Sequence, residues 1–485
     1  MAKSLQDAAL NCAQLAGAEY ADIRILDMLR ESIVVKNGRV ESAYRENSAG
    51  FGVRVLLGGA WGFSSSRLLS SSEVERVAGE AIEIARATQI VQRKTVELAP
   101  APVVQDAWAT PVTKDPFVVP LEDKLSLLKK AVSSIQAAGV SIAEGSMNFW
   151  KCNQAFASTE GSRIEQTIVH SGGGISATSV KDGEIQVRSY PNSFRGQYQS
   201  GGYEMIEAMN LVDNAERVAS EAVALHAARQ CPSGTMTVIL DGSQLGLQIH
   251  ESCGHPAELD RALGSEINFA GTSFLTPDKL GGFRYGADIV NIVADATQQT
   301  SPGGLGTFAY DDEGVPAQRI HIVRDGIFTG YLSSRETARE IGSQSTGAMR
   351  ASGWNRIPLV RMTNVSLLPG DSSLGEMIAT TKNGIFLCTN RSWSIDDKRL
   401  HFQFGTEVGW LVKNGRLAEM VKNPTYSGVT PRFWSSCDAI AGPKEWVIWG
   451  TPNCGKGQPE QVMHTGHGAS PARFQNVSVG VGYGN

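Results

Sequence analysis

The chain lacks any apolar run of about 18 residues, the length that a membrane-spanning helix needs. It also lacks an excess of either charge, because 44 basic and 49 acidic residues leave a formal net charge of −5. Such a balance gives no electrostatic footprint for direct binding of nucleic acid. The first residues contain no basic segment followed by an apolar core, as a secretory signal would. We therefore expect a cytoplasmic protein that binds neither membranes nor nucleic acid directly.

Cysteine and histidine are scarce, with seven and eight residues in a chain of 485. Seven scattered cysteines, an odd number, do not form the disulfide framework of a small secreted protein, so we expect reduced thiols. Glycine, in contrast, is abundant at 52 residues, which favours many turns and a β-rich portion. The length is sufficient for two or three domains, each with its own hydrophobic core.

The first half of the chain shows one order of elements twice. Apolar periodicity predicts four helices, near residues 3–16, 70–88, 121–138 and 213–229. Strand-like runs fill the space between the first two helices and between the last two, with hairpin turns predicted at Asn37-Gly38 and Gly58-Gly59. We interpret this order as a possible duplication. The predicted N-terminal domain, residues 1–232, is an antiparallel sheet flanked by helices.

Beyond Pro232-Ser233-Gly234, which we take as a domain boundary, the sequence becomes strongly β-rich. Successive runs of alternating apolar residues predict paired strands, and a single helix follows the strand-like run Thr235–Leu240. We expect residues 233–485 to form a β-rich domain resembling a barrel or a sandwich, with that helix at its active site. The predicted fold class is therefore α+β.

The helix after this strand carries two histidines around a carboxylate, in the stretch His250-Glu251-Ser252-Cys253-Gly254-His255. In the zinc-peptidase helix the two histidines are four residues apart and face one metal. Here they are five apart, which a regular helix would separate by roughly 140°. A single π-type turn absorbs the extra residue, and Gly254 and Pro256 both weaken the regular helix at that point. We therefore predict a distorted helix that turns both imidazoles towards one metal.

A catalytic zinc usually takes three protein ligands and leaves a fourth position for water, so a third ligand is expected from elsewhere. The candidates are Cys454, in PNCGKGQP, and the pair His464 and His467, in HTGHGASPARF. We expect a tight loop around Cys454, whose alternative role is that of an ordinary thiol. The glycine-rich context also predicts a loop for the two histidines.

A rival metal-binding pair within the same stretch is His250 with Cys253, three residues apart on one helix face. This pairing leaves Glu251 and His255 without roles, and we expect Cys253 to pack in the core instead. Glu251, beside the first histidine, is placed to take a proton from a metal-bound water and pass it to a leaving amine.

The acidic run Asp311-Asp312-Glu313 is typical of a solvated loop. If the run is functional, it could bind a substrate amino terminus or hold a ligand histidine through a hydrogen bond. The segment NRSWSIDDKRLHFQFG alternates as a strand that could pair with an extended peptide.

Several blocks of this chain resemble the TldD/PmbA family. They are HESCGHPAELD, YDDEGVPA, RDGIFTGYLSSRETA, RMTNVSLLPGD and CGKGQP, all in the second half of the chain. Because HExxxH is present, the chain is similar to the TldD branch, the metallopeptidases, rather than to the PmbA (TldE) branch, which lacks the motif. One departure is Ser252-Cys253 between the histidines, where the family pattern has smaller or aliphatic residues.

The resemblance implies a zinc peptidase with His250, His255 and Cys454 as ligands and Glu251 as the catalytic residue. It also implies a dimer, either with a second copy or with a PmbA/TldE-like subunit, and an enclosed active site. The expected substrates are unfolded or flexible polypeptides.

Two other functions remain open from the residues alone. A zinc held by two histidines and a cysteine beside a glutamate also suits a peptide deformylase or a related amidase. A non-catalytic regulatory or scaffold subunit is the third interpretation, in line with the family's older label as a modulator of DNA gyrase.

Overall fold

The structure is a computed structural model that describes residues 2–298 and 303–481. Strands make up 43% of it and helices 24%, and most neighbouring strands pair antiparallel. The α+β class predicted from the sequence is thereby confirmed. No helix of the described residues is both long and apolar enough to cross a lipid bilayer.

The N-terminal half consists of one large sheet with helices packed against it. Its helices are α1 (Ala2–Leu15), α2 (Ser71–Val91), α3 (Leu121–Ala137), α4 (Glu204–Ala208) and α5 (Leu211–Ala224). Its strands are β1 (Tyr20–Lys36), β2 (Arg39–Leu57), β3 (Ala60–Ser66), β4 (Gln105–Ala109), β5 (Ile142–Ser158), β6 (Arg163–Lys181), β7 (Glu184–Tyr190) and β8 (Gln197–Ser200). The sheet has the order β3-β2-β1-β5-β6-β4, and both β7 and β8 also pair with β6.

The two halves of this sheet repeat one another. Strands β1, β2 and β3 have 17, 19 and 7 residues, and strands β5, β6 and β7 have the same three lengths. Strands β1 and β5 pair antiparallel in the middle of the sheet. Helices α1 and α2 bury one cluster of apolar side chains, and α3 and α5 bury a second. Each fully buried Leu, Ile or Phe in these clusters contributes about 1.5–3 kcal/mol.

The hairpin turns predicted from the sequence are confirmed. Asn37, Gly38, Gly58 and Gly59 all have positive φ angles, the backbone of the two-residue turns that match strand twist. The fourth predicted helix, residues 213–229, was placed too far along the chain. It occupies Leu211–Ala224, because Arg229 and Gln230 form a short strand, β9, that pairs with the second half of the protein.

The C-terminal half contains short helices and many strands. The helices are α6 (Gly242–Ile249), α7 (Leu259–Ala262), α8 (Arg335–Glu340), α9 (Leu374–Ala379) and α10 (Thr430–Ser435). The strands are β10 (Gly234–Leu240), β11 (Ile292–Asp295), β12 (Arg319–Arg324), β13 (Ile327–Phe328), β14 (Met349–Arg350), β15 (Leu359–Val360), β16 (Val365–Leu367), β17 (Asn383–Ile395), β18 (His401–Lys413), β19 (Arg416–Lys422), β20 (Pro424–Val429), β21 (Cys437–Ile440), β22 (Val447–Lys456), β23 (Gln461–Ala469) and β24 (Ala472–Val481).

Five of these strands close into a barrel. They follow the order β17-β10-β24-β20-β18, and β18 pairs back with β17. Stacked aromatic rings from the barrel strands and from α10 lie in the main core, among them Phe404, Tyr426, Phe433 and Phe474. Closure removes the free edges of these strands, so the barrel forms a rigid base for helix α6, which follows β10 directly.

The structure contradicts the loops predicted around Cys454 and around His464 and His467. Cys454 lies in β22, and both histidines lie in β23, its antiparallel partner. The prediction was wrong because these glycines allow close packing of neighbouring side chains and do not form turns. A Cβ atom on Gly466 would lie 2.2 Å from the side chain of Asn364, and one on Gly468 would lie 1.8 Å from Trp446.

The acidic run Asp311-Asp312-Glu313 is not the solvated loop that the sequence predicted, since all three residues are buried. Its Glu313 accepts a hydrogen bond from Arg54 of β2 at 3.2 Å, and Arg54 also pairs with Asp22 of β1 at 2.6 Å. Partners 259 residues away along the chain cannot be read from a local pattern. The run therefore joins the two halves of the protein.

Candidate metal centre

Helix α6 begins directly after the barrel strand β10. The carboxylate of Asp241 caps it by accepting the N–H of Gln244 at 2.9 Å. Leu245 and Ile249 are fully buried in the main core, which fixes the rotation of the helix about its axis. The two residues after Ile249 are His250 and Glu251, so the core positions the candidate catalytic residues.

The helix widens into a π turn at His250–Gly254, as the five-residue spacing predicted. The N–H of His255 bonds to the carbonyl of His250, which is the five-residue hydrogen bond of a π turn. The two imidazole rings consequently lie on one face, with centroids 4.8 Å apart. Gly254 has an ordinary helical φ of −70°. It is needed for space rather than flexibility, because a Cβ atom there would lie 2.0 Å from the sulfur of Met362.

His255 is held by a carboxylate three residues further along the chain. Its Nδ1 lies 2.9 Å from Oε2 of the fully buried Glu258. Because a carboxylate accepts, Nδ1 carries the proton, and the lone pair of Nε2 is left free. That Nε2 lies 3.6 Å from Sγ of Cys454. Burial holds the pKa of His255 well below its usual value, so the ring is neutral at pH 7.

His250 is oriented by a relay that ends at a backbone carbonyl. Nδ1 of His467 lies 3.1 Å from the oxygen of Val365, so it must donate, and Nε2 of the neutral His467 must accept. His250 Nδ1 lies 2.7 Å from that Nε2 and is therefore the donor. The lone pair of His250 Nε2 is left free, as on His255. Burial lowers the pKa of both His250 and His467.

Cys454 reaches the histidines through an irregularity in its strand. The register of β22 against β23 shifts between Thr451 and Cys454, and bulges of this kind redirect side chains. Burial alone would raise the pKa of the thiol. The guanidinium of Arg361 and the neighbouring His255 outweigh that effect, so the pKa lies below its usual value. Arg361 also donates to the carbonyl oxygen of Cys454 at 2.5 Å, which fixes its position.

Glu251 lines the same cavity of about 270 Å³ as the two histidines and Cys454. Its Oε2 accepts a hydrogen bond from Nη1 of Arg399 at 2.6 Å, and both side chains are largely buried. Arg399 lies in the turn between β17 and β18, in a left-handed conformation with φ of 63°. The ion pair holds the carboxylate at the wall of the cavity.

These donors fit a metal ion. The candidate ligand atoms of His250, His255 and Cys454 all lie within 4.8 Å of one another, and all three residues are buried. Both imidazoles have a fixed proton on Nδ1, so two nitrogen lone pairs and one sulfur converge on a single point. Two nitrogens and one sulfur are donors that zinc prefers, and three protein ligands leave a fourth position open to the cavity.

The other residues singled out from the sequence lie elsewhere. Cys253 packs in the core with its sulfur 3.1 Å from the hydroxyl of Tyr285, as expected. His464 points away from His467 and contacts His170 of β6. His467 touches His250 and does not join the cluster of three donors.

Sequence reasoning missed several residues that support the centre. Glu258, Lys456, Arg361 and Arg399 have no place in the motif, although Glu258 follows His255 by only three residues. The buried ammonium of Lys456 lies 3.4 Å from Glu258 and 2.7 Å from Asp260. A carboxylate one turn after a proposed ligand histidine is the signal that could have identified Glu258.

Two parts of the chain match family descriptions. Residues 233–481 match the PmbA/TldA metallopeptidase C-terminal domain, and residues 21–85 match PmbA/TldA metallopeptidase domain 1. The class of protein is therefore that of the metallopeptidases.

Relatives extend the match over most of the chain. A metalloprotease from Methanocaldococcus jannaschii is 32% identical over 87% of this chain and 89% of its own length. A zinc metalloprotease TldD homolog from Saccharolobus solfataricus is 23% identical over 88% of this chain and 90% of its own length. The chain belongs to the PmbA/TldD metallopeptidase family, which confirms the resemblance seen in the sequence blocks.

Solved structures share the fold. A Thermotoga maritima protein, described as a candidate modulator of a DNA gyrase, superposes with a TM-score of 0.76 at 20% identity. That comparison covers 99% of this chain and all of the other. TldE from Thermococcus kodakarensis superposes with a TM-score of 0.69 at 13% identity, over 98% of this chain and all of the other. At these identities the likeness concerns the fold alone.

Proposed function

We propose that this protein is a zinc-dependent peptidase that hydrolyses peptide bonds of unfolded or flexible polypeptides. The observation that carries the proposal is the convergence of His250, His255 and Cys454 on one point with Glu251 at the wall of the same cavity. The donor set favours zinc, and a relative's name includes that metal.

His250 Nε2, His255 Nε2 and Cys454 Sγ would hold the ion. A zinc ion supplies Lewis-acid chemistry, making water more acidic and polarising the scissile carbonyl. Glu251 then takes the proton of the attacking water as its oxygen adds to the carbonyl carbon. The same carboxylate returns the proton to the amine nitrogen as the C–N bond breaks. Arg399 keeps Glu251 aimed at the cavity through both transfers.

The size and lining of the cavity support flexible polypeptides as the substrates. A cavity of about 270 Å³ is too small to hold a folded domain, which supports an extended chain as the substrate. The exposed edge-to-face pair of Phe194 and Trp393, with centroids 5.3 Å apart, stands at this cavity and offers an apolar contact to a substrate side chain. Among the described strands, β17 pairs with β10 only over residues 384–387, so its far end, which carries Trp393, keeps one open edge and remains our candidate for pairing with the peptide backbone.

Elemental analysis of the purified full chain tests the metal. We expect near-stoichiometric zinc in the wild type and little in Cys454→Ala, because two ligands bind far more weakly than three. Glu251→Gln is the matched variant: it should keep the zinc and lose hydrolysis of an unstructured peptide. Zinc retained in full by Cys454→Ala, or peptide hydrolysis retained by Glu251→Gln, would contradict the proposal.

A peptide deformylase is the second candidate, because two histidines, one cysteine and an adjacent glutamate meet here. Release of formate from a formylated peptide, measured beside release of peptide fragments, separates the two reactions. A regulatory or scaffold role, the third interpretation, would be favoured if Glu251→Gln left every cellular effect of the protein unchanged.

The remaining features of the proposal concern the setting of the enzyme. We propose a cytoplasmic protein with a domain boundary between residues 232 and 233. We also propose that it forms a dimer, with a second copy or with a TldE-like subunit, as the fold shared with TldE suggests. Light scattering of the purified chain, alone and with a TldE-like protein, measures the mass of each assembly.

A further inference from the structure

A second cavity, of about 370 Å³, lies on the other side of strand β23 from the metal centre. Successive side chains of a strand point to opposite faces, so His467 contacts His250 whereas His464 points into this second space. We name it the rear cavity. Its walls include Met28, Trp150, His170, Phe308, Arg350 and His464. It is larger than the cavity at the metal centre, and its volume is within the range of small-molecule sites.

Arg350 is a buried cation that no carboxylate of the described residues contacts directly at this cavity. Its side chain stacks over the ring of Phe308 at 5.2 Å, and the residue is only 8% exposed. Nη1 donates to the carbonyl oxygens of Met362 and His464. Within residues 2–298 and 303–481, Nε and Nη2 have no hydrogen-bond partner, and no carboxylate oxygen lies within 4.0 Å of the guanidinium.

Three carboxylates lie at the cavity wall, and each has other partners; Glu46 lies 3.4 Å from Arg30. Asp311 accepts the backbone N–H groups of Glu313, Val315 and Met349. Asp312 accepts hydrogen bonds from Gln154 and from the N–H of Ala351, and it lies 3.6 Å from Arg24. Arg350 therefore has no direct carboxylate partner among the described residues, and Asp312 acts on its charge only from beyond 4.0 Å.

Burial, with Arg361 nearby, lowers the pKa of Arg350 to about 10, so the side chain is still charged at pH 7. A buried charge that is neither paired nor fully hydrogen-bonded is costly, and proteins rarely keep one without a partner. An anion in the cavity would supply that partner, and a carboxylate matches the two free nitrogens of a guanidinium.

A second unpartnered polar atom lies at the same wall. Nε2 of His170 is buried without a hydrogen-bond partner in the part of the chain that the structure describes. Its Nδ1 lies 2.9 Å from Nδ1 of His464, so one ring donates to the other. When His464 donates, His170 carries its proton on Nε2 and offers a second donor.

We propose that the rear cavity binds an organic carboxylate with an apolar body. The carboxylate would pair with Arg350, and the body would lie against Trp150, Phe308 and Met28. Two sources share this chemistry: a free apolar carboxylic acid, and the carboxyl-terminal residue of a peptide. The site goes beyond the peptidase function and uses none of the residues proposed for it.

Isothermal titration calorimetry of the purified full chain tests the site with three probes. They are N-acetylphenylalanine, its uncharged amide, and 3-phenylpropionate. We expect both acids to bind, and the amide to bind at least about tenfold more weakly, because it loses the charge-assisted hydrogen bonds. A peptide terminus as the source predicts that N-acetylphenylalanine binds more tightly than 3-phenylpropionate, and a free acid predicts the reverse order.

Two variants locate the binding. Arg350→Met removes the charge, and Met28→Trp fills the cavity while leaving Arg350 in place. Each variant should bind N-acetylphenylalanine at least about tenfold more weakly than the wild type does. Arg76→Met, at an exposed arginine of α2, is the control for charge loss and should leave binding unchanged. Circular dichroism of each variant checks that it is folded.

The proposal is overturned if neither acid binds, if the acid and the amide bind equally, or if Met28→Trp binds like the wild type. Glu251→Gln should bind N-acetylphenylalanine as the wild type does. Failure of the peptidase proposal and failure of this one are therefore separate results.

Discussion

Two residues outside the sequence motif decide which nitrogen of each proposed ligand faces the cavity. Glu258 fixes the proton of His255, and His467 does the same for His250 through the carbonyl of Val365. Hydrogen bonds of this kind orient the ring and increase its basicity. The centre is thus set by five residues rather than by three.

We expect His467→Ala to weaken zinc binding about 10–100-fold, because His250 loses the acceptor that fixes its tautomer and orientation. Glu258→Gln keeps an acceptor without the charge, so its effect should be smaller than that of Glu258→Ala. Competition with a chromophoric chelator measures the affinities. His321→Ala, on β12, is the control. Wild-type affinity in His467→Ala would show that the relay has no role in binding.

The pH at which zinc is lost should depend on Arg361. This arginine helps to hold the pKa of the Cys454 thiol below its usual value, so the thiolate persists as the pH falls. In Arg361→Met the pKa rises, protons compete with zinc at higher pH, and the midpoint of zinc loss moves to higher pH. Arg361→Lys keeps the charge and should stay close to wild type. Zinc content after equilibration at each pH gives the midpoints, and an unchanged midpoint in Arg361→Met contradicts this argument.

At the residue scale, the sequence predicted the proposed donors but not their surroundings. His250, Glu251 and His255 are close in sequence, so their spacing alone suggested their chemistry. Cys454 was one of three candidates for the third ligand, and the family resemblance selected it. His467, Arg361 and Arg399 come from distant strands and turns, and only the folded barrel brings them to the helix.

The π turn is the element on which the centre depends. It was predicted because a five-residue spacing cannot place two side chains on one face of a regular helix. Its sequence requirement is steric: Gly254 lies against Met362 with no room for a side chain.

Gly254→Ala should destabilise the protein by about 1–3 kcal/mol through overpacking, and it should also reduce zinc binding because the turn must move. The double variant Gly254→Ala, Met362→Ala removes the clashing sulfur and should recover part of both losses. Thermal unfolding of the metal-free protein reports stability separately from zinc binding. If Gly254→Ala were as stable as the wild type, Met362 would have moved aside without a loss of stability.

Strands β22 and β23 show where the prediction of elements from local sequence patterns fails. Their glycines suggested a loop. In β23, however, each glycine packs against a neighbouring side chain that leaves no room for a Cβ atom. Alternation of Thr465 and His467 on one face and His464 on the other is typical of a strand, but glycine at every second position concealed it.

At the scale of the whole molecule, the two halves are joined by buried charges. Arg54 of the N-terminal sheet bonds to Asp22 beside it and to Glu313 of the other half, and all three side chains are at most 2% exposed. Removal of one member leaves charges buried without a partner.

Arg54→Met should therefore lower the free energy of unfolding by about 3–5 kcal/mol, because Asp22 and Glu313 both lose their counter-ion. Urea denaturation measures the change. Arg76→Met breaks only exposed ion pairs on α2 and should leave the midpoint nearly unchanged. Equal midpoints for the two variants would mean that the buried cluster adds nothing to stability.

The duplicated arrangement of the N-terminal half was accessible from the order of predicted elements, and the equal strand lengths support it. The closed barrel was expected only as a β-rich barrel or sandwich. Which strand pairs with which is decided by contacts far apart in sequence, such as β10 with β17 and β24, which no local pattern records.

Both cavities have walls from both halves of the chain. The four residues proposed for catalysis all lie after residue 249, whereas Phe194 at the metal centre lies in the turn between β7 and β8 and Trp150 at the rear cavity lies in β5. Substitutions in the earlier half can therefore retune which molecules are admitted while the reacting groups stay fixed. The substrate range of such a chain can therefore evolve while the catalysed reaction stays the same.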